Sequence, residues 1–404
     1  MARESLIPLF DSLKCIDEYP MALNYIDERY HQDFNQALTF LRAYKGSLGT
    51  FTAYRREIER LLQWTWHIAH KTIKELNRDD IQYFIQFCQK PPKSWIGLKK
   101  LPRYTGKNTL RKPNAEWRPF IAKVSKRDFK KGEKADIRDF SLSETAIKDM
   151  FAILSSFFTY LLQEEYVLVN PVALIRQKSQ FIKRNQGKPR IRRLTSRQWQ
   201  YVFNTAKQMA KEEPSKHERT LFMLSLLYGM YLRISELAAS ERWTPTMNDF
   251  FTDHHNQWWF VTVGKGNKQR QIAVSDSILE SLKRWRTYLN LTPFPSPSDN
   301  SPLFPKIAGK GPLTHTGPIR ETIQHCFDKA VAQLKLDDYE EEAEALMEAT
   351  VHWLRHTGIS EDVKRRPREH VRDDAGHSSS AITDKYIDIE LKERHASAKS
   401  KALE

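Results

Sequence analysis

Two histidines flank an arginine in the segment His352-Trp353-Leu354-Arg355-His356. On a helix, residues three positions apart share a face, so the imidazole of His352 and the guanidinium of Arg355 can reach the same group. Such a pair suits an oxyanion or a phosphate, because both side chains donate hydrogen bonds and the arginine is always charged. Taken alone, the pair is also typical of a surface histidine and an arginine near a helix start.

A second candidate group lies near the C-terminus, where Gly376-His377-Ser378 precedes Tyr386. A turn and a short helix over this interval can bring His377 and Tyr386 to one site. A tyrosine hydroxyl has a pKa of about 10, so a tyrosine nucleophile needs a cationic environment that stabilises the forming phenolate. Alone, Tyr386 is equally typical of a packed aromatic residue with a hydrogen-bonded hydroxyl.

Two further cations lie upstream of these groups. Arg233 follows an apolar helix and precedes Glu236, and Lys265 lies at the tip of a hairpin predicted over Trp258–Val274. Taken singly, Arg233 is typical of a capping or ion-pairing arginine and Lys265 of a solvated turn. Lys268 lies on the same turn and is a close alternative to Lys265.

Together, in order and spacing, these pieces resemble the motifs of the tyrosine recombinases, also called the phage integrase family. The matching segments are Leu232-Arg233-Ile234-Ser235-Glu236-Leu237, Gly264-Lys265-Gly266-Asn267-Lys268, His352-x-x-Arg355-His356, Gly376-His377-Ser378 and Tyr386. The resemblance covers the second half of the chain, and the helical pattern of the first half is compatible with the family's core-binding domain. Three departures are Ala375, where the family usually has leucine, the segment 361–374, which is more basic than expected at 364–368, and the segment 93–138, which is longer than the family's usual connection.

The resemblance implies that Tyr386 attacks a DNA phosphodiester, giving a 3′-phosphotyrosine and a free 5′-hydroxyl. Arg233 and Arg355 would grip the non-bridging phosphate oxygens, as phosphoryl transfer requires. The phosphodiester bond is conserved in the covalent intermediate, so rejoining would need neither ATP nor metal. The sequence contains no Walker A loop and no zinc-ligand spacing, and we expect no metal and no cofactor.

By the same resemblance, His352 and His377 would add hydrogen bonds to the phosphate. Lys265 would protonate the leaving 5′-oxygen. Glu236 would pair with the Arg233 side chain without contacting the phosphate, although simple helix capping by Glu236 is equally compatible with the sequence.

Composition agrees with a globular DNA-binding protein. The chain has 404 residues and a net charge of +15, which favours a polyanionic partner, with nucleic acid ahead of a membrane surface. Hydrophobic residues at 40% exclude a disordered polybasic chain, and 14 glycines favour helix over turn-rich β architectures. Three widely spaced cysteines predict reduced thiols, and no signal peptide or membrane span is expected, which favours the cytoplasm.

The expected fold is mainly α with a small β-sheet or hairpin in the C-terminal domain. Five regions are predicted: an N-terminal extension over 1–30, a helical, SAM-like core-binding domain over 31–176, an interdomain linker over 177–192, a catalytic domain over 193–390 and a tail over 391–404. By resemblance the two domains would form a DNA clamp, and the tail could pack on a neighbouring protomer or on its own domain.

Local patterns place several elements. Helices are predicted over Glu218–Tyr231, Ser277–Leu289, Thr316–Leu334 and Ala343–Ser360, with N-caps in the first half at Asn77 and Ser143. Residues 93–138 form a basic insertion in which apolar residues do not recur at helix or strand spacing. It is predicted to be a long loop rather than part of the core. It is either a solvated loop or a DNA-contacting arm.

The linker is the most basic stretch of the chain, and no acidic residue occurs from Tyr166 to Lys211. A run of one sign between two folded domains is a candidate to follow a phosphate backbone. The predicted DNA-binding residues there are Arg176, Lys178, Lys183, Arg184, Lys188, Arg190, Arg192 and Arg193.

The sequence thus predicts a site-specific DNA recombinase or integrase of a mobile element, phage or transposon, which acts on specific sites in double-stranded DNA. Two duplexes cut on both strands imply a homo-tetramer, with accessory directionality factors as further partners and a cytoplasmic, nucleoid-associated location in a bacterium. The alternatives are a type IB-like topoisomerase, which shares the chemistry, and a non-catalytic DNA-binding regulator. The regulator would not need the complete reactive set.

Overall fold

The computed structural model describes residues 6–16, 21–106, 111–175, 181, 192–264 and 266–386, together with 395, 398 and 399. The chain divides into two compact units, Met1–Lys188 and Pro189–Glu404, and the division falls inside the predicted linker 177–192. Helices dominate both units and the strands are short. The predicted fold class, mainly α with a small sheet in the C-terminal half, is confirmed.

In its described part, the first unit has four helices of 12 to 20 residues and one of five residues. These are α1 (His31–Arg42), α2 (Leu48–His67), α3 (Arg78–Gln89), α4 (Lys126–Lys130) and α5 (Glu144–Gln163). The predicted N-caps form: Asn77 Oδ1 accepts the backbone N–H of Asp79 at 2.8 Å, and Ser143 Oγ accepts that of Ala146 at 3.2 Å. The apolar stripes of α1, α2 and α5 meet in one core.

Among the described helices, α5 alone has the length and composition that could cross a membrane. Its residues Ile147, Phe151, Leu154 and Phe158 are buried in the core of the first unit.

The prediction that 93–138 is a loop outside the core is wrong. Two small sheets form here: β1 (Ile96–Gly97) pairs in parallel with β4 (Phe120–Ile121), and β2 (Tyr104–Thr105) pairs antiparallel with β3 (Lys112–Pro113). The side chains of Trp95, Trp117 and Phe120 are buried. Isolated aromatic residues bury a large apolar area without any sequence period, so the pattern of the segment did not reveal them.

Basic residues of this segment are bound within the first unit. Arg103 forms an ion pair with the buried carboxylate of Glu59 on α2, and its guanidinium lies 4.6 Å from the ring centre of Trp117. Arg111 pairs with Asp11 at 2.7 Å. These arginines therefore hold the segment to its own unit, which leaves fewer of its charges for an outside partner.

Part of the predicted N-terminal extension also enters this core. Leu9, Phe10 and Ile16 are buried, and Tyr104 Oη donates to the carbonyl oxygens of Pro8 and Leu9 at 2.9 and 3.1 Å. Residues 6–16 thus pack with the first unit and with the segment 93–138.

The described residues of the second unit form one three-stranded antiparallel sheet, which lies among helices. The strands, in the order β5-β6-β7, are β5 (Phe250–Thr252), β6 (Trp258–Val263) and β7 (Gln269–Ala273). The helices are α6 (Ser196–Glu212), α7 (Pro214–Gly229), α8 (Asp276–Tyr288), α9 (Thr316–Leu336), α10 (Glu340–Met347), α11 (Val351–Asp362), α12 (Arg368–Ala375) and α13 (Ser380–Thr383).

The predicted hairpin forms, with Phe260 opposite Ile272 and Val263 opposite Gln269, and β5 is an additional strand. The prediction of a single helix over Ala343–Ser360 is wrong, because the chain forms two helices there, α10 and α11, with a break between them. Thr350 has an extended backbone there (φ −122°, ψ 164°) and starts α11. This break places the histidines and arginine of α11 on a helix separate from α10.

Candidate active site

Helix α11 carries two of the predicted site residues, His352 and Arg355, and it packs closely against α7. A Cβ atom on Gly358 would lie 2.0 Å from the backbone oxygen of Tyr228, so only glycine allows this approach. Arg355, almost one turn earlier, is only 3% exposed. The close packing therefore holds a charged side chain of α11 inside the unit.

Arg355 is held by backbone carbonyls. Its Nη1 donates to the carbonyl oxygen of Tyr231, and its Nη2 donates to that of Ala375 at 2.6 Å. Within the described part of the chain, no carboxylate forms an ion pair with it. Burial, reinforced by the like charge of Arg233, lowers the pKa of Arg355 to about 9. The site thus fixes a buried cation in place and leaves its charge without a counterion.

Glu236 joins two other arginines. It is 1% exposed, and its carboxylate accepts Nη1 of Arg233 at 3.0 Å and both terminal nitrogens of Arg270 at 2.8 and 2.9 Å. The same carboxylate accepts the backbone N–H of Arg233 at 2.8 Å. Both uses that the sequence allows for Glu236, support of the Arg233 side chain and capping of the turn, occur together.

Burial raises the pKa of Glu236, but the hydrogen bonds and charges of Arg270 and Arg233 outweigh burial, and the net pKa is lowered. The guanidinium groups of Arg233, Arg270 and Arg355 are close enough to influence one another's charge. Glu236 is the one described carboxylate that pairs with any of them. A buried excess of positive charge is costly unless an anion joins it. The geometry is therefore that of an anion site.

His377 lies at the exit of α12. Gly376 ends this helix in the left-handed region at φ 63°, and a Cβ there would lie 2.8 Å from Cδ of Arg270. Nδ1 of His377 lies 2.9 Å from Oγ1 of Thr383 on α13, which orients the ring. Burial and the charges of Arg355, Arg233 and Arg270 lower the pKa of His377 to about 4, so its imidazole is neutral at pH 7.

Tyr386 follows α13 in a single 3₁₀ turn, Asp384–Tyr386, and is 6% exposed. Its ring lies parallel to that of His377 with the centroids 5.7 Å apart, and its hydroxyl oxygen is 2.6 Å from Nδ1 of His356. Burial raises the pKa of Tyr386, while Arg355 and Arg233 oppose the rise. The phenol is therefore protonated at rest and lies in the field of two cations.

A polar network next to the arginines uses residues of the segment 361–374. Arg366 donates to Asp374 Oδ2 at 2.5 Å and to the hydroxyl of Tyr231 at 3.0 Å, and Tyr231 Oη donates to Asp362. Tyr231 supplies the carbonyl that Arg355 binds. At least one basic residue of this segment thus stabilises the site from within the unit.

The structure brings together Arg233, Glu236, His352, Arg355, His377 and Tyr386 from four separate stretches of chain. His352 lies next to His356 on α11, with ring centroids 4.2 Å apart, and burial lowers its pKa. Lys265 lies outside the described residues, and Lys268 is exposed on the hairpin turn. Of the basic residues predicted to bind DNA, Arg192 and Arg193 are described and lie in the second unit. The others lie outside the described residues: Arg176, Lys178, Lys183, Arg184, Lys188 and Arg190.

Two residues of the site were missed by sequence reasoning. His356 adjoins Arg355 and lies four residues after His352, a spacing that places both histidines on one helical face. Arg270 alternates with Gln269 and Gln271 on β7 and shares the inward face with Ile272, so the two-residue period of a strand could have indicated it.

Comparisons with known proteins agree with this geometry. The family model described as the phage integrase family matches residues 192–393, half of the chain. A tyrosine recombinase of Pseudothermotoga lettingae is 28% identical over 152 residues, which are 38% of this chain and 46% of that protein. Tyrosine recombinase XerC of Actinobacillus pleuropneumoniae is 25% identical over 240 residues, 59% of this chain and 66% of that protein. The matches thus span from under half to about two thirds of these curated relatives.

Solved structures share the fold. XerH site-specific recombinase bound to a palindromic difH substrate, in a post-cleavage complex, aligns with a TM-score of 0.56 and 13% identity over 97% of this chain and 90% of that one. The Tn1549 transposon integrase in complex with a circular intermediate DNA aligns with a TM-score of 0.50 and 16% identity over 91% of this chain and 98% of that one. With the family match over half the chain, and with the ordered motifs gathered at one site, the chain belongs to the phage integrase family.

Proposed function

We propose that this protein is a site-specific DNA recombinase that cuts and rejoins duplex DNA through a covalent 3′-phosphotyrosine at Tyr386. The observation that carries the proposal is the charge balance of the site. Among the described residues, three buried or half-buried guanidinium groups lie beside a buried tyrosine hydroxyl, and the one carboxylate that pairs with any of them, Glu236, pairs with two. A phosphodiester supplies the missing negative charge and the electrophile at the same place.

Each arginine has a distinct place in this scheme. The Arg233 side chain is 29% exposed and can meet an incoming phosphate directly. A guanidinium has five N–H donors, so Arg355 keeps donors for a phosphate oxygen after it has bound the carbonyls of Tyr231 and Ala375. Arg270 contacts Glu236 and the carbonyl of Asp374 and holds the carboxylate in place.

The remaining roles come from the family resemblance. Neutral His352 and His377 would each donate one hydrogen bond to the phosphate, and Lys265 would protonate the leaving 5′-oxygen. Burial of the phenol keeps it protonated until a phosphate arrives, which limits unproductive attack.

We propose specific sites in double-stranded DNA as the substrate and a homo-tetramer as the synaptic assembly. The basic linker would bind the phosphate backbone. A mobile element is the proposed source of the sites, with accessory directionality factors, and the nucleoid of a bacterial cytoplasm is the proposed location.

The test is covalent capture on DNA. The full chain is incubated in EDTA with a pool of nicked suicide duplexes whose sequence includes the DNA flanking its own gene, and protein–DNA adducts are isolated and sequenced. We expect an adduct that forms without metal on a limited set of sequences and disappears in Tyr386→Phe. An adduct that survives Tyr386→Phe, or one that requires Mg²⁺, contradicts the mechanism.

A second measurement separates recombination from supercoil relaxation. Two copies of the captured site on one plasmid should give strand exchange and Holliday junctions. Relaxation of any supercoiled plasmid, independent of the site, would instead indicate a type IB-like topoisomerase, and DNA binding without an adduct would indicate a regulator.

A further inference from the structure

One side chain at the tyrosine hydroxyl has no role in the scheme above. His356 lies on α11, one turn after His352, and its Nδ1 is 2.6 Å from Oη of Tyr386. No other side chain in the described part of the chain forms a hydrogen bond with the hydroxyl of Tyr386. An attacking phenol must lose its proton, and a general base must lie within hydrogen-bond reach of that proton.

We propose that His356 accepts the proton of Tyr386 during DNA cleavage, an inference that rests on the proposed recombinase function. His356 is then a catalytic residue, because Nδ1 contacts the atom that forms the new bond.

The protonation states of the pair suit this role. The groups that face His356 are His352 on its own helix, Arg355 beside it, His377 after α12, and Tyr386. Burial and the charges of His352, Arg355 and His377 lower the pKa of His356 to about 4, so the imidazole is neutral at pH 7 and Nδ1 can accept a proton. In the tautomer that this role requires, the ring proton of His356 lies on Nε2 and the phenol O–H of Tyr386 donates to Nδ1.

The two other histidines of the site are placed less well for this task. Nδ1 of His377 already contacts Thr383, and its ring lies parallel to that of Tyr386 instead of directing a nitrogen at the hydroxyl. His352 contacts the ring of His356 edge to face. The bond to Tyr386 therefore singles out His356.

The step balances without an added reactant. Oη of Tyr386 attacks phosphorus, the O–H bond breaks, and its proton passes to Nδ1 of His356. The P–O5′ bond breaks, and the leaving oxygen receives a proton from the acid assigned to Lys265. When the strands rejoin, the 5′-hydroxyl attacks the phosphotyrosine and its proton passes back to the group assigned to Lys265. The P–Oη bond breaks, and the His356 imidazolium returns its proton to Oη.

The test uses the full chain and the suicide duplex that the wild type cleaves. His356→Gln keeps a hydrogen-bonding side chain without a basic nitrogen, His356→Ala opens a cavity, and His370→Gln, at an exposed histidine on α12, is the matched control. We expect single-turnover adduct formation to fall about 10²–10³-fold in both His356 variants and to stay unchanged in His370→Gln. Thermal melting followed by circular dichroism verifies that each variant is folded.

Three further readouts distinguish proton transfer from positioning. The rate should be nearly flat with pH in the wild type above pH 6 and should rise with pH in the His356 variants, because hydroxide replaces the missing base. Added imidazole should restore part of the rate of His356→Ala. A duplex with a 5′-bridging sulfur, whose thiolate leaves without a proton, should rescue Lys265→Ala and leave the His356 variants slow.

Wild-type rate and pH profile in His356→Gln would overturn the inference, since an amide can position the phenol but cannot take its proton. Rescue of His356→Gln by the bridging sulfur would also overturn it and would make His356 an acid. If the wild type itself forms no adduct while remaining folded, the proposed recombinase function fails first. If the wild type forms an adduct and the His356 variants form it equally fast, only the inference about His356 is rejected and the proposed recombinase function stands.

Discussion

At the scale of single residues, the site is organised around one buried carboxylate. Glu236 is the common partner of Arg233 and Arg270, and it also accepts a backbone N–H that begins the turn after α7. A guanidinium that faces a phosphate must be held rigidly, because a misplacement of about 1 Å can cost 10²-fold in rate. Glu236 thus contributes to the orientation of Arg233 without contacting substrate.

We predict that Glu236→Ala lowers the free energy of unfolding by about 3–5 kcal/mol, since removal of one partner leaves two buried guanidinium groups uncompensated. Glu236→Gln should cost less, because the amide still accepts a hydrogen bond. Glu280→Gln, which removes an exposed pair with Lys283, should change stability by less than about 1 kcal/mol. Urea denaturation measures all three, and equal stability of Glu236→Ala and wild type would contradict the assigned contacts.

The same carboxylate has a defined pH dependence. The pKa of Glu236 is lowered in the folded state from its usual value of 4.5, so folding favours the charged form. Its stabilising contribution is complete above about pH 4.5 and is lost as the pH falls through the lowered value. The stability gap between wild type and Glu236→Gln should therefore narrow below about pH 4.5.

At the scale of elements, the reactive set depends on how closely α11 approaches α7. Arg355 reaches the carbonyl of Tyr231, just after α7, while its other terminal nitrogen reaches Ala375 at the end of α12. One arginine thus connects three elements, and Gly358 sets the distance between two of them. Tyr386 lies on a fourth element, beyond α13.

We predict that Gly358→Ala destabilises the protein by about 1–3 kcal/mol and slows adduct formation about 10²-fold, because its Cβ meets the Tyr228 carbonyl oxygen and displaces α11. Gly317→Ala, near the start of α9 where a Cβ meets no atom within 4 Å, is the matched control. It should leave the rate unchanged and stability unchanged or slightly raised. Melting temperature and single-turnover rate test both variants, and a Gly358→Ala protein that behaves like Gly317→Ala would refute the packing argument.

At the scale of the whole molecule, the basic residues behind the net charge of +15 fall into groups with different partners. Some arginines of the segment 93–138 are bound internally, as with Arg103 on Glu59. Others build the anion site of the second unit. The linker residues carry charge of one sign with no acidic residue nearby in sequence, which favours a role in backbone binding.

We predict that replacing Lys183, Arg184, Lys188 and Arg190 with glutamine weakens DNA binding. The slope of log affinity against log salt concentration should become shallower by about 0.9 for each phosphate contact that is lost. Arg355→Ala should instead abolish adduct formation while most of the affinity and its salt slope remain. Fluorescence anisotropy over a range of salt concentrations measures the slopes. An unchanged slope in the linker variant would place the DNA-binding charge elsewhere.

The sequence by itself determined the reactive residue types, their order and most of the helices, because caps, apolar periods and motif spacing are local properties. Asn77, Ser143 and the hairpin of β6 and β7 follow from such signals. Only the tertiary structure decided which side chains meet. His356 on the hydroxyl of Tyr386, Arg270 on Glu236 and the buried aromatic residues of 93–138 depend on contacts between segments far apart in sequence. No local pattern encodes such contacts, since burial and charge pairing arise when separate elements pack together.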